Sequence, residues 1–356
     1  MSVPNDCTIL GKEVEIGEID VELKRLWEAD EARTNASLMN FAVYSEDSSA
    51  LSKNSEMVRE ITREHACRAI LVAVDRDDPE VGMRAWVTAH CNLANGNKTV
   101  CCEQLAFHLA GRVSGRFRNT IFANLQSDLP LIFWWQGELT ERFDDRIYSL
   151  IQRLVVDSAD WANPLEQFQR LKEPMLNENL VVQDLSWTRT YHIRLGIAAM
   201  FDDPHAQDVI TGIQKVNIVT SPDCETSGIQ LLSWIVTQCG WLPAQELIET
   251  EAARGSYHFE NTHGGVIEAK VTAEEDSSPI SLVEIIAGDV RLSVTRPKGD
   301  HLIHLRVEAD GYVSEQSTPA DSMDSVGLMR DQLSRGGKNS LFRKVLPTFM
   351  ELLSQK

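Results

Sequence analysis

The stretch LPLIFWWQG, Leu129–Gly137, decides the fold class of this chain. Its first five residues are apolar on both faces of a strand, which is typical of a central strand covered on both sides. Side chains alternate along a strand, so Trp134 and Trp135 should point to opposite faces at its carboxyl end. Ligand and partner sites of open α/β sheets collect beyond such ends. The tip formed by Trp134, Trp135, Gln136 and Gly137 is therefore a candidate partner-binding surface, unless both rings only cover the core.

Neighbouring apolar runs predict a parallel sheet around this strand. Strands are indicated by LMNFAVYS (Leu38–Ser45), CRAILVAVD (Cys67–Asp75) and RLVVDS (Arg153–Ser158). Apolar residues at helical spacing follow the first run, and the same spacing occurs at Leu139, Phe143, Ile147 and Leu150. The order strand–helix–strand is typical of parallel sheets. An Asn-Gly pair at residues 95 and 96 predicts a hairpin of antiparallel strands. We expect residues 1–172 to form a doubly wound, mostly parallel α/β domain.

The pattern changes after the polar, proline-containing segment at residues 172–179. Helices are predicted over Leu185–Phe201 and Gly228–Gly240, with a strand between them. Five short alternating runs between residues 256 and 309 then predict an antiparallel meander with one solvated face. We expect residues 173–356 to form a C-terminal α+β domain.

Composition and charge narrow the class of protein. The chain has 356 residues, 43% of them hydrophobic, and a net charge of −19. This acidity argues against binding to nucleic acid or to a membrane surface, both of which require cationic patches. The sequence has no run of transmembrane length, no signal-peptide pattern at its start, and seven cysteines without a CxxC pair. We expect a cytoplasmic protein with reduced thiols.

Motifs for chemistry are absent from the sequence. It contains no GxGxxG, no phosphate loop, no HExxH and no GxSxG, so we expect no catalytic residue, cofactor or metal. The sequence around Cys101 and Cys102 resembles a metal site only weakly, because alternation sends neighbouring residues to opposite faces. An alternative function is that of an enzyme or small-ligand binder with a site near the carboxyl edge of the first sheet, around His65, Arg68 and Trp135.

Three motifs in order resemble the OpcA family of glucose-6-phosphate dehydrogenase assembly proteins. They are LPLIFWWQGEL followed by RLVVDSADW, the later run DLSWTRTYHIR, and HACRAILV before the second strand. The resemblance covers about residues 38–194. The signature residues, which we expect to be structural, are His65, Arg68, Pro130, Asp157, Ser158, Trp187 and Arg189.

The resemblance implies a non-enzymatic function. Members of the family bind glucose-6-phosphate dehydrogenase, the entry enzyme of the oxidative pentose phosphate pathway, and promote its active oligomer. Such a protein acts by linkage, since a partner that binds the active form more tightly shifts the population towards it. For Arg189, we expect an acidic partner at the domain junction that holds the guanidinium in place.

Overall fold

A computed structural model describes residues 7–29, 37–94, 97–177, 179–244, 255–335, 337 and 339–355. Contacts between Cα atoms divide the chain into two compact units. Unit 1 consists of Met1–Val156 and Arg170–Gln183, and unit 2 consists of Asp157–Gln169 and Asp184–Lys356. The division is therefore interleaved, whereas the sequence predicted a single cut after residue 172.

Unit 1 is built on an eight-stranded sheet. In spatial order the strands are β1-β4-β5-β3-β2-β6-β7-β8, namely β1 Lys12–Val14, β2 Asn40–Ser45, β3 Arg68–Asp75, β4 Gly82–Ala94, β5 Asn97–Ala110, β6 Leu131–Trp135, β7 Arg153–Val156 and β8 Val181–Asp184. The ladder from β5 through β3, β2 and β6 to β7 is parallel, and β4 pairs antiparallel with β5. The predicted parallel sheet and hairpin are confirmed, although the two turn residues of the hairpin lie outside the described residues.

The strand order identifies a switch point. From β5 to β8, the order β5-β3-β2-β6-β7-β8 is that of doubly wound dinucleotide folds. In these folds the order of the parallel strands reverses between the first and the fourth strand, which is the switch point. Here that point lies between β2 and β6. The helices up to residue 172 are α1 Cys7–Leu10, α2 Ile19–Ala29, α3 Ala50–Ile61, α4 Phe117–Ala123, α5 Asp145–Tyr148 and α6 Pro164–Lys172. The first six residues of α6 belong to unit 2.

One predicted helix of this region is mostly a loop. The spacing from Leu139 to Leu150 indicated a helix, but only the single turn α5 forms. Asp144 starts it as the N-cap, since its side chain accepts a hydrogen bond from the Arg146 amide. Earlier in the segment, the Thr140 side chain bonds outside the segment, to Glu46.

Unit 2 contains a second eight-stranded sheet, ordered β10-β11-β12-β9-β13-β14-β15-β16. The strands are β9 Lys215–Thr220, β10 Leu242–Pro243, β11 Ser256–Glu260, β12 Val266–Ala273, β13 Ile280–Ala287, β14 Val290–Thr295, β15 Leu302–Ala309 and β16 Tyr312–Pro319. All pairings are antiparallel except that of β12 with β9. The predicted antiparallel architecture is confirmed, but the meander is split because β9 lies between β12 and β13.

The helices of unit 2 are α7 Leu185–Thr188, α8 Tyr191–Met200, α9 Glu225–Cys239, α10 Ser325–Ser334 and α11 Ser340–Ser354. Of these, α8 and α9 pack on one face of the sheet, and α11 packs against α9. Close packing requires glycine in α9, where a Cβ on Gly228 would lie 2.6 Å from Thr220 Cγ2 and 2.9 Å from Val271 Cγ1. In α8, a Cβ on Gly196 would lie 2.7 Å from Leu305. Within the described part of the chain, no helix combines the length and apolar character needed to cross a membrane.

Candidate functional site at the carboxyl edge of the first sheet

The two tryptophans of β6 lie in the core. Their exposed fractions are 4% for Trp134 and 0% for Trp135. Neither ring can contact a partner in this conformation, so we no longer place them in a binding surface. They are buried because β6 is flanked on both sides by parallel strands, which leaves both of its faces to be covered.

Trp135 holds the loop that follows it. Its indole nitrogen donates a hydrogen bond of 2.9 Å to the carbonyl of Glu138. Its ring lies 4.3 Å from that of Tyr44 and 5.5 Å from that of Phe143, between centroids. Trp135 therefore fixes the position of a surface segment and does not form the surface itself.

Gln136 and Gly137, the rest of the predicted tip, are half-buried. The Gln136 amide exchanges two hydrogen bonds of 2.9 Å with the side chain of Asn54 on α3. Gly137 has a φ of +78°, a left-handed conformation that suits glycine and turns the chain out of β6. The pair Gln136–Asn54 thus links β6 to α3 at the switch point.

A charged network occupies the carboxyl ends of β2 and β3. Glu46 accepts hydrogen bonds from Tyr44 at 2.8 Å, from Arg76 at 2.6 Å and from Thr140 at 3.0 Å. Arg76 also donates to Glu141 at 3.0 Å. Burial and then Glu46 raise the pKa of the Tyr44 phenol, which keeps it protonated as a donor. The sequence analysis missed Glu46 and Arg76, although each directly follows a predicted buried strand.

Beside this network lies a cavity of about 290 Å³. Its lining combines apolar, aromatic and acidic side chains: Leu139, Thr140, Glu141, Phe143, Asp144, Asp145, Tyr148, Arg170, Glu173 and Pro174. Burial, followed by the charges of Glu173, Asp145 and Asp144, raises the pKa of Tyr148. The lining carries four carboxylates, Glu141, Asp144, Asp145 and Glu173, against one guanidinium, Arg170, and this excess of negative charge favours a cationic group.

His65 and Arg68 lie away from this edge. Arg68 opens β3 and is level with Asn40 and Leu131, the first residues of β2 and β6. Trp135 is four residues further along β6, a distance of about 13 Å at 3.3 Å per residue. The ligand site predicted around His65, Arg68 and Trp135 is therefore wrong, because parallel strands place these residues at opposite edges.

At the amino edge the signature residues have structural contacts. Arg68 forms an ion pair of 3.3 Å with Glu103. His65 follows the end of α3, and its amide bonds to the Ile61 carbonyl. The Pro130 carbonyl accepts a hydrogen bond of 2.9 Å from the Asn40 amide.

The other signature residues build a buried polar cluster in unit 2. Arg189 pairs with Asp157 at 3.1 Å, and their side chains are 6% and 5% exposed. Arg189 thus has the predicted acidic partner, although the prediction placed the pair at the domain junction and both residues belong to unit 2. Arg189 also donates to the hydroxyls of Ser186 and Ser227. Because a lone charge is costly in the interior, the pair specifies how these segments meet.

Asp184 is the second carboxylate of this cluster, and the sequence analysis missed it. It accepts from the Ser158 hydroxyl at 2.5 Å, the Ser158 amide at 2.9 Å and the Gln230 side chain at 2.6 Å. Burial and the nearby charge of Asp157 raise its pKa to about 6. Its position before Leu-Ser-Trp is an N-cap signal for α7, which its bond from the Ser186 amide confirms.

Trp187 is buried beside a third charged residue. The Arg194 guanidinium carbon lies 3.6 Å from the centre of its ring. Arg194 also donates to the Trp187 carbonyl at 2.8 Å. The cation–π contact and the hydrogen bond fix the turn between α7 and α8.

The cysteines differ in part from the expectation of reduced thiols. Cys67, Cys102, Cys224 and Cys239 are free, but Cys91 is disulfide-bonded. Burial raises the pKa of the Cys239 thiol to about 11. Across the described ranges, no three His, Cys, Asp or Glu side chains are arranged to hold a metal ion.

The fold and this edge define an α/β protein with the strand order of dinucleotide folds, joined to an antiparallel second sheet. A mutant of KijD10, a 3-ketoreductase from Actinomadura kijaniata solved with TDP-benzene and NADP, is similar with a TM-score of 0.51. The two are 11% identical, and the match covers 89% of this chain and 96% of that one. An open conformation of KijD10 has a TM-score of 0.50. At this identity the likeness concerns the fold alone.

Family comparison identifies the chain more closely. The model of the glucose-6-phosphate dehydrogenase subunit N-terminal domain matches residues 58–173, and that of the C-terminal domain matches residues 180–346. The chain belongs to this family, OpcA. A Synechocystis sp. protein with the name "Putative OxPP cycle protein OpcA" is 22% identical over 313 residues, which cover 82% of this chain and 65% of the relative. The Synechococcus elongatus OpcA is 21% identical, covering 83% of this chain and 70% of the relative.

Proposed function

We propose that this protein is a non-catalytic assembly partner of glucose-6-phosphate dehydrogenase that favours the active oligomer of that enzyme. The observation that carries the proposal is the match of two dehydrogenase-subunit domain models along the chain. The relatives named after the OxPP cycle support the same pathway.

The switch point supports a role without a dinucleotide. In this strand order, a pyrophosphate would lie at the start of the helix after β2, on a glycine-rich turn. Here that turn reads SEDSS, residues 45–49, and brings Glu46 and Asp47 where phosphates would lie. Carboxylates repel phosphate, and Glu46 is already bonded to Arg76.

The segment from Gly137 to Tyr148 supplies a candidate contact surface. Trp135 holds this segment in place through its hydrogen bond to the Glu138 carbonyl and its ring contact with Phe143. Its cavity presents the exposed carboxylates of Asp145 and Glu173 next to the Phe143 and Tyr148 rings. An arginine or lysine side chain of the dehydrogenase matches both the charge and the aromatic wall.

Activation follows from differential binding. If this protein binds the active oligomer more tightly than the inactive form, it shifts the population by the difference in affinity. A coupling of about 1–3 kcal/mol, which is typical, changes the dehydrogenase equilibrium roughly 5–150-fold. No catalytic side chain is required for this effect.

The test mixes the purified protein with the dehydrogenase of the same organism. We expect a complex by light scattering after size exclusion, a larger dehydrogenase assembly and a changed dependence of rate on substrate. Absence of both binding and kinetic change would refute the proposed function.

Charge reversals test the contact surface separately. Asp145→Lys and Glu173→Lys should weaken the complex at least about tenfold, which corresponds to 1.4 kcal/mol. The matched control is Glu56→Lys, a reversal at an exposed position on α3. Equal binding by all three variants would remove the cavity from the interface but leave the proposed function standing.

A further inference from the structure

The second sheet has an outer face that is not the face packed against α8 and α9. Its side chains form three cross-strand rows by register. The first row is His258, Glu268, Lys215, Ile286, Arg291, Glu308 and Val313; the second is Ser256, Lys270, Asn217, Glu284, Ser293, Arg306 and Glu315; the third is Thr272, Val219, Leu282, Thr295, His304 and Ser317. Every one of these side chains is half-buried or exposed. We call these three rows the outer face.

The outer face is electrically neutral. It carries four cations and four carboxylates, namely Lys215, Lys270, Arg291 and Arg306 against Glu268, Glu284, Glu308 and Glu315. The whole chain has a net charge of −19. The outer face therefore differs from the rest of the molecule, which carries the excess of negative charge.

Seven of the eight charged side chains of this face form ion pairs within the sheet. Glu284, at its centre, accepts a hydrogen bond of 2.7 Å from Asn217 and lies 3.4 Å from Arg291. Arg306 bridges Glu308 and Glu315. A surface of paired charges can be covered without leaving an unpaired ion behind.

The size of the face matches a stable interface. Seven strands at about 4.8 Å and six residues at about 3.3 Å give a plane of roughly 670 Å². A standard interface covers about 800 Å² on each partner. Apolar side chains also lie on it, including Val219, Leu282 and Ile286, and Val313 is 55% exposed.

We propose that the outer face is where a second copy of this chain docks, about a two-fold axis. A two-fold interface brings the same patch of both copies together, so that patch must carry both signs of charge. Two chains of charge −19 repel each other, and the repulsion is weakest where the apposed surfaces are neutral. A cationic partner would instead prefer the acidic remainder of the molecule.

Sedimentation equilibrium and light scattering of the full chain test this inference. The wild type should reach twice the 39.9 kDa mass of the chain over a micromolar concentration series. Leu282→Glu, which puts a charge in the uncharged row of both copies, should raise the dissociation constant at least about tenfold, or 1.4 kcal/mol. Ser293→Arg is a second variant in case the first does not fold, as judged by circular dichroism.

The matched control is Leu195→Glu, on α8, where the leucine is 51% exposed and lies outside the outer face. It should remain dimeric. A monomeric wild type, or a dimer that both outer-face variants leave intact, would overturn the inference. A monomer whose outer-face variants lose dehydrogenase binding would also overturn it and assign the face to that enzyme. Since the mass measurement needs no dehydrogenase, its result is independent of the proposed function.

Discussion

Replacing Arg189 with alanine tests whether the buried cluster of unit 2 holds that unit together. The substitution removes the partner of Asp157, whose carboxylate is 5% exposed. It also removes donors to Ser186 and Ser227. Asp157 would keep only the Ser186 hydroxyl and the Ala159 amide as hydrogen-bond donors among the contacts described here.

The expected loss is large because a charge is left in the interior. Breaking a buried ion pair by removing one partner costs about 3–5 kcal/mol. For a unit of this size, each kilocalorie lowers the thermal midpoint by roughly 2–4 °C, so the midpoint should fall by roughly 6–20 °C. Burial and the charge of Asp157 already raise the pKa of Asp184. Loss of the Arg189 cation leaves the repulsion between the two carboxylates uncompensated.

Thermal and urea unfolding, followed by circular dichroism, measure this loss. The control is Lys298→Ala, which breaks an exposed pair with Asp276 and should cost less than about 1 kcal/mol. The double variant Asp157→Asn, Arg189→Met removes both charges and should recover much of the stability, since apolar replacement of a whole pair is often neutral. A loss below about 1 kcal/mol for Arg189→Ala would refute the reasoning.

Three further perturbations test other parts of the structure. Asp184 has a folded pKa of about 6, above its ordinary 3.8, so its carboxylate destabilises the fold above pH 6 and this cost disappears as the pH falls below 4. The difference amounts to about 3 kcal/mol. Whatever the amide loses in hydrogen bonds from Ser158 and Gln230, the stability of Asp184→Asn relative to the wild type should be higher near about pH 8 than near about pH 5 by urea unfolding. A relative stability that rises on acidification would contradict the sign. Gly228→Ala should cost about 1–3 kcal/mol through its contacts at 2.6 and 2.9 Å, while Gly212→Ala, with no atom within 4 Å, should be neutral by thermal unfolding. Trp135→Ala should cost about 3–5 kcal/mol by the same assay, and a wild-type midpoint would argue against its place in the core.

The sequence predicted elements well where a single physical signal dominated. Continuous apolar runs located β2, β3 and β6. Gly240 ends α9 in the left-handed conformation, as its position predicted. These signals are local, so tertiary contacts did not need to be known.

Long-range pairing was beyond such signals. The position of β9 between β12 and β13 depends on a crossover that no neighbouring residue encodes. The sequence placed the Trp pair at the end of a strand and therefore suggested a binding surface. The rings of Tyr44 and Phe143 that cover Trp135 come from other segments, so its burial could not be predicted locally. Asp184 was missed because its carboxylate becomes special only when Ser158 and Gln230 approach it.

The interleaving of the two units has a consequence for synthesis on the ribosome. At about 5–20 residues per second, residues 157–169 emerge before β8, yet they belong to the later unit. The first sheet therefore cannot be completed until β8 has emerged. Residues 157–169 cannot pack into unit 2 until the chain after Asp184 has been made. A fragment ending at residue 172 would lack β8 and leave the edge of β7 unpaired, which predisposes a chain to aggregate. Each compact unit thus takes residues from both family halves, so neither half alone contains a complete unit.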